Sequence, residues 1–237
     1  PTLTNVAYNP YYLRIGSLPS LEQQIHVPIQ EHDEFNHNLV EIVNLLKEDS
    51  IYEQQAQKAY NRNFDPWVLT RAIATFERTF ISGQSAYDKY QFQGKKSALN
   101  ESEKRGKQLV FSDKTNCAKC HNGFNFTNYT FKNNGLYSVY QNEGRKEITR
   151  LDEDEALFKV PTLRNIELTA PYMHDGSLKS LEAVVAHYVS GGSNFKNQSE
   201  IIKPLALTQT EKDDLVAFLK SLTDHEFVNN KLFRNEE

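Results

Sequence analysis

The chain has two cysteines, Cys117 and Cys120, and they stand three positions apart with His121 directly after the second. Two cysteines and one of seven histidines fall into that order by chance on the order of once in 4000 arrangements, so the cluster is a motif. Cys117-Ala118-Lys119-Cys120-His121 has the spacing used for covalent haem attachment. The two thiols add to the vinyl groups of a porphyrin, and a short turn brings the histidine under the iron as proximal ligand. Other uses of paired cysteines fit less well. A structural zinc site needs four ligands, and no second Cys-x-x-Cys or close histidine pair completes one. A thioredoxin-like redox pair belongs in a βαβ context, which the sequence does not offer. A disulfide across so short a loop stabilises little.

Composition narrows the remaining possibilities. The 237 residues include 27 Lys and Arg against 31 Asp and Glu, a formal net charge of −4. No basic stripe marks a nucleic-acid partner. No run reaches the ~18 apolar residues that a membrane-spanning helix requires. The apolar fraction, 38%, is low, but 14 Phe and 12 Tyr can bury much area per residue and so close a core. Residue 1 is Pro, which fits either removal of a signal peptide or a start inside a longer protein.

Helical signals dominate. Residues 1–36 read as loop, punctuated by Pro1, Pro10, Pro19 and Pro28. Leu39, Ile42, Val43 and Leu46 follow helical spacing. Asp65-Pro66 is a helix start, and Val68, Leu69, Ala72, Ile73, Phe76 and Phe80 continue an apolar stripe towards Gly83. A charged break over 93–102 precedes a helix from Ser102 to Phe111. The Asn- and Gly-rich run from Cys117 to Gly144 predicts irregular backbone. Leu181, Val184, Val185 and Tyr188 form a stripe closed by Gly191-Gly192. Thr208 and Glu211 make a capping box ahead of Leu215, Val216, Phe218, Leu219 and Leu222. The expected fold is mostly α with long ordered loops, and irregular backbone on that scale usually wraps around something.

A haem iron has a second axial face. The remaining histidines are His26, His32, His37, His174, His187 and His225, and the one methionine is Met173. Composition alone does not choose among them, and Tyr188 on its own reads as a core aromatic.

The run KVPTLRNIELTAPYMHDG, 159–176, followed by SLKSLEAVVAHYVSGG, resembles the signature of bacterial di-haem cytochrome c peroxidases and MauG-type enzymes. PTLTNVAYN at the start, AIATFERTFISG at 72–83 and SEKRGKQLVF before the haem motif agree with it. The resemblance implies a c-type cytochrome fold and a haem-c oxidoreductase that reduces hydrogen peroxide in the periplasm. Its electrons would come from a small donor protein such as a cytochrome c or a cupredoxin. Family members carry two Cys-x-x-Cys-His motifs and this chain carries one, which implies a second haem on an N-terminal segment ahead of Pro1. Residues 1–96 would then be the remainder of a peroxidatic domain, and 97–237 a complete electron-transfer haem domain. A single-haem electron carrier without peroxidase activity is the alternative, and a chain whose haem was never attached is a third.

The resemblance also implies site residues. The catalytic acid/base aligns with Glu34, although by itself Glu34 reads equally as a solvated loop carboxylate beside His32, Asp33 and His37. Fourteen positions after His174, where the peroxidases have an axial Met, this chain has Tyr188, as in the MauG-type branch. Tyr188 is thus the expected distal ligand, with Met173 the alternative. Thr169 and Pro171 match a calcium site built from backbone carbonyls, a donor type that suits a hard cation. The family's Trp-Asp-Gly is replaced by Arg14-Ile15-Gly16, and the one tryptophan, Trp67, lies elsewhere, which argues against a Trp-relayed electron path. Family relatives also suggest a homodimer.

Overall fold

The computed structural model describes residues 2–233. Its backbone divides into two compact units, Asn5–Phe80 and a second that runs from Ile81 onwards and takes in the stretch up to Thr4.

In the first unit the proline-punctuated start is more ordered than its sequence suggests. A 3-10 turn forms at Val6–Tyr8, and α1 (Leu21–Gln24) and α2 (His26–Gln30) follow almost without a break. Ser20 caps α1 by accepting the Gln23 N–H at 3.3 Å. Pro28 falls in the first turn of α2, where its missing N–H has no intrahelical partner to lose. Helix α3 (Leu39–Leu46) buries Leu39 and Val43, as its spacing predicts. Helix α4 (Ser50–Tyr60) carries no apolar stripe in its sequence. It is started by the Asp49 side chain and buries Ala56. The expected Asp65 cap and Pro66 start open α5 (Pro66–Arg78), but the helix stops short of Gly83. Its buried positions are Val68, Thr70, Ala74 and Glu77, while Phe76 is exposed. Two separate apolar clusters hold this unit. Val6, Tyr12, Leu21, Ile25 and Ala74 form one, and Val43, Ala56, Phe64 and Val68 the other. Trp67 is exposed on α5, with the Arg71 and Arg62 guanidinium groups 3.9 and 4.6 Å from its ring.

The second unit is built on three reciprocally capped helices. They are α6 (Ala86–Phe92), α7 (Glu101–Val110) and α10 (Gln209–Lys220), with capping boxes Ser85/Asp88, Asn100/Glu103 and Thr208/Glu211. Helices α7 and α10 cross at Gly106, where a Cβ would stand 1.9 Å from the Asp214 carbonyl oxygen. Only glycine lets the two backbones approach so closely. Asp214 secures the crossing by accepting from Ser102 Oγ at 2.6 Å and from Arg105 through two N–H groups. The loop between them holds α8 (Lys146–Thr149) and α9 (Leu181–Ser190), and α11 (His225–Val228) closes the unit. Helix α9 ends at Gly191, in the left-handed region at φ 85°, as the Gly-Gly pair predicts. Among the described residues, strand structure is confined to β1 (Phe131–Lys132) and β2 (Phe158–Lys159), antiparallel with Phe131 opposite Lys159. One continuous core joins Tyr87, Val110, Phe126, Leu163, Leu181, Val185, Leu215, Phe218 and Leu222. Beneath it Arg164, 1% exposed, makes two hydrogen bonds to Asp88 at 2.8 and 2.9 Å.

Candidate haem-binding site

The motif folds into a single 3-10 turn, Cys117–Lys119, entered through Asn116 in the left-handed region. The Cys117 carbonyl accepts both the Cys120 and His121 N–H groups, at 3.2 and 2.9 Å, and so closes the turn. The other carbonyls of the turn explain the asparagines around it. Asn122 Nδ2 donates to Ala118 O, Asn128 Nδ2 to Lys119 O, and the Asn128 N–H to Cys120 O. The irregular backbone thereby finds partners in side chains where no helix or sheet supplies them.

Both thiols are half-buried and unlinked. Burial pushes each above the ordinary cysteine range, with Lys132 opposing it at Cys120. That direction is opposite to the one that activates the thiolate of a redox pair. His121 Nδ1 lies 3.0 Å from the Phe126 carbonyl, an acceptor only, so Nδ1 carries the proton. Burial lowers the pKa of the imidazole, against the pull of the Phe126 and Pro161 carbonyls. The ring is thus neutral at neutral pH with its lone pair on Nε2. That is the tautomer an iron ligand requires, held by a carbonyl behind it.

Helix α9 brings Tyr188 to the same place. Burial raises its phenol pKa, the Asn134 side chain works against that, and Cys117, Cys120 and Tyr140 lie close enough to add to the rise. Cys117 in turn packs against the core with Val184 and Val189 of α9. Met173 also reaches this region, since its sulfur accepts from Asn134 Nδ2 at 3.1 Å. Asn134 therefore ties its loop to Met173, one of the two candidate distal ligands. Nothing in the sequence singles it out, because one asparagine among many in 122–144 carries no pattern. Nearby, His174 stacks on Phe158 at 4.1 Å and 18°, and Tyr137 donates to Asp175 at 2.5 Å. Partial burial would raise the Asp175 carboxyl, but the hydrogen bonds from Tyr137 and Ser177 hold it at about 2. Lys159 is lowered by burial to about 8.

The other expected site residues lie outside this cluster. Glu34 occupies a fully exposed turn of the first unit, its N–H bonded to Glu31 O, with His32, Asp33 and His37 also exposed. Thr169 and Pro171 are exposed, and the Thr169 hydroxyl donates to Ile166 O. Among the described residues no three His, Cys, Asp or Glu side chains converge as a separate metal site.

A helical unit with α7 crossing α10, a Cys-x-x-Cys-His turn and an Nε2 presented by a carbonyl-held histidine defines a c-type cytochrome domain. Comparison with known proteins agrees. Residues 103–223 match the cytochrome c family model, and residues 1–97 match that of di-haem cytochrome c peroxidase. The chain is 35% identical to the methylamine utilization protein MauG of Methylorubrum extorquens over 94% of its own length and 63% of that protein. It is 33% identical to MauG of Methylophilus methylotrophus, over 94% and 67%. With the cytochrome c551 peroxidase of Nitrosomonas europaea it shares 32% identity, over 94% and 64%. The crystal structure of a MauG-like protein associated with microbial copper homeostasis superposes with a TM-score of 0.92 at 31% identity, covering 99% of this chain and 77% of that one. The chain belongs to the di-haem cytochrome c peroxidase and MauG family, whose cofactor is haem c. It spans about two thirds of the length of these curated relatives, 63% to 67%.

Proposed function

We propose that this chain is part of a di-haem, peroxide-reducing oxidoreductase, with residues 97–237 forming its electron-transfer haem domain and 1–96 belonging to its peroxidatic domain. The observation that carries the reading is His121, neutral, with Nδ1 committed to Phe126 and Nε2 left for iron, beside two unlinked thiols on one turn. Cys117 and Cys120 would hold the porphyrin, and His121 and Tyr188 are the residues that would bind its iron. The haem supplies one-electron redox chemistry. A second haem, held outside these residues, would supply the site at which hydrogen peroxide is reduced. Glu34 moves protons there as general acid/base, and its exposed turn lets it exchange them with water.

The donor is a small redox protein of the cytochrome c or cupredoxin kind. The relatives named as cytochrome c peroxidases support that donor, and the setting proposed with it is the periplasm. No helix among the described residues is long and apolar enough to cross a membrane. A calcium ion on the Thr169 and Pro171 carbonyls, and a homodimer, complete the proposal.

Haem staining of the denatured chain, with its intact mass, tests the attachment. Oxidation of reduced cytochrome c by peroxide then tests the chemistry. A protein containing both haem segments should turn over, and these 237 residues alone should be orders of magnitude slower, because iron bound by both His121 and Tyr188 would have no open site for peroxide. Stained haem with no peroxidase activity in the two-haem protein would make the chain a simple electron carrier.

A further inference from the structure

Helices α6 and α7, with the short turn Lys96–Ala98 between them, gather positive charge on a chain whose net charge is −4. The ammonium groups of Lys96, Lys104 and Lys107 stand 5.0, 5.9 and 5.2 Å from the centre of one ring, that of half-buried Tyr90. Lys104 is paired with Glu101 at 2.7 Å, whereas Lys95, Lys96 and Lys107 have no ion pair among the described residues. The ring attracts each cation. Three like charges held about one ring still repel each other, and an anionic surface would turn that repulsion into attraction.

Two exposed rings accompany the lysines. Phe92, 66% exposed, ends α6 two residues after Tyr90, and Phe111, 44% exposed, follows Lys107 by one helical turn. From both, packing leads inward to the haem motif. The Phe92 ring meets Tyr87 at 6.1 Å, Tyr87 meets Phe126 at 5.0 Å, and Phe111 meets Phe126 at 6.4 Å. The Phe126 carbonyl is the group that holds His121. An apolar centre with a charged rim is the usual anatomy of a protein contact, and here close packing joins that centre to His121.

We propose that this surface docks the electron donor, a small redox protein that sets acidic side chains against Lys95, Lys96 and Lys107 and an apolar edge against Phe92 and Phe111. This rests on the reading of the unit as an electron-transfer haem domain. One electron leaves the reduced donor and is taken up by ferric iron, with no bond made or broken. The lysines steer and orient the donor, and the rings seat its redox centre against packed protein that ends at His121. An acidic donor is thereby favoured over a basic one of the same size.

The test uses the haem-loaded chain with two probes, an acidic cupredoxin and a basic cytochrome c. Calorimetry with the oxidised donors reads binding, and stopped-flow absorbance with the reduced donors reads haem reduction. The cupredoxin should bind more tightly than the cytochrome, and raised salt should weaken it. Lys96→Glu with Lys107→Glu should lower its affinity and its second-order rate about tenfold at low salt, a loss that shrinks at high salt. Phe92→Ser should weaken binding while keeping the salt dependence. Both variants should keep the parent's melting curve and reduction potential. If the charge-reversed chain binds the cupredoxin and is reduced by it as the parent is, the docking surface is overturned and the electron-transfer reading stands. The same follows if the basic cytochrome c is the tighter partner, or if the substitutions only dissolve a dimer, which would give the surface to a second copy. If neither donor reduces the parent haem while dithionite does, the electron-transfer reading falls and the docking surface with it.

Discussion

The two compact units treat buried polarity in opposite ways. In the unit that follows Ile81, buried charge is fully partnered. Arg164 is matched by Asp88, and the buried Asp224 carboxylate accepts from Ser82 Oγ and the Gly83, Gln84 and Phe227 N–H groups. In Asn5–Phe80 a buried oxygen of Glu77 and one of Gln24 have no partner among the described residues. Apolar packing differs in the same sense, one continuous core against two small clusters. A carboxylate with four donors locks its surroundings, whereas one without them makes burial cost free energy. The haem unit thus reads as a rigid cage of loops, and the first unit as a looser one.

Removing the haem should have the largest effect. Replacing Cys117 and Cys120 with alanine is expected to lower Tm by more than about 10 °C, equivalent to several kcal/mol in a chain of this size. Hydrogen exchange should show the loss in 115–145 and in α9, with Asn5–Phe80 little changed. An unaltered melting curve would break the contrast between the units.

Next comes Arg164→Met, which leaves Asp88 buried and unpaired beneath the core. A broken buried pair costs about 3–5 kcal/mol, so chemical denaturation should show a loss of that order. A cost under about 1 kcal/mol would mean the cage does not depend on its buried charges.

Activity should separate from stability at Glu34. Because the side chain is exposed, Glu34→Gln should leave Tm within a degree or so and yet reduce peroxide turnover by a factor of about 100 or more in the two-haem protein. Unchanged turnover would return Glu34 to an ordinary solvated carboxylate.

The smallest effect is a pH response of opposite sign in the two units. Burial raises the Glu77 carboxyl, with Arg78 opposing, so folding favours its protonated form. Its contribution is complete below the unfolded carboxylate pKa and is lost as pH rises through the folded value. Burial would raise Asp224 too, but its N–H and O–H donors outweigh it and hold the group below the usual range. That contribution is present above the unfolded value and is lost as pH falls through the folded one. Exchange protection of Asn5–Phe80 should therefore decline between acidic and neutral pH, and Glu77→Gln should abolish the decline. Protection around Ser82–Ser85 should instead weaken on acidification. The same sign in both units would refute the comparison.

What was legible in the sequence depended on how local its cause was. A Cys-x-x-Cys-His turn, the Asp65-Pro66 start, the Thr208/Glu211 box and the Gly191 stop each act within four residues, so the amino-acid order alone determined them. The apolar face of α10 was equally plain, since its period matches one burying surface. Helix α4 left almost no trace because it buries only Ala56, and the Asp49 cap ahead of it looks like any polar loop residue. The α5 stripe was misplaced because the surfaces that meet it bury Thr70, Ala74 and Glu77 and leave Phe76 out, a choice made by neighbours distant in the chain. At the site, residue types named Cys117, Cys120 and His121, but not the tautomer of the imidazole, which the Phe126 carbonyl decides.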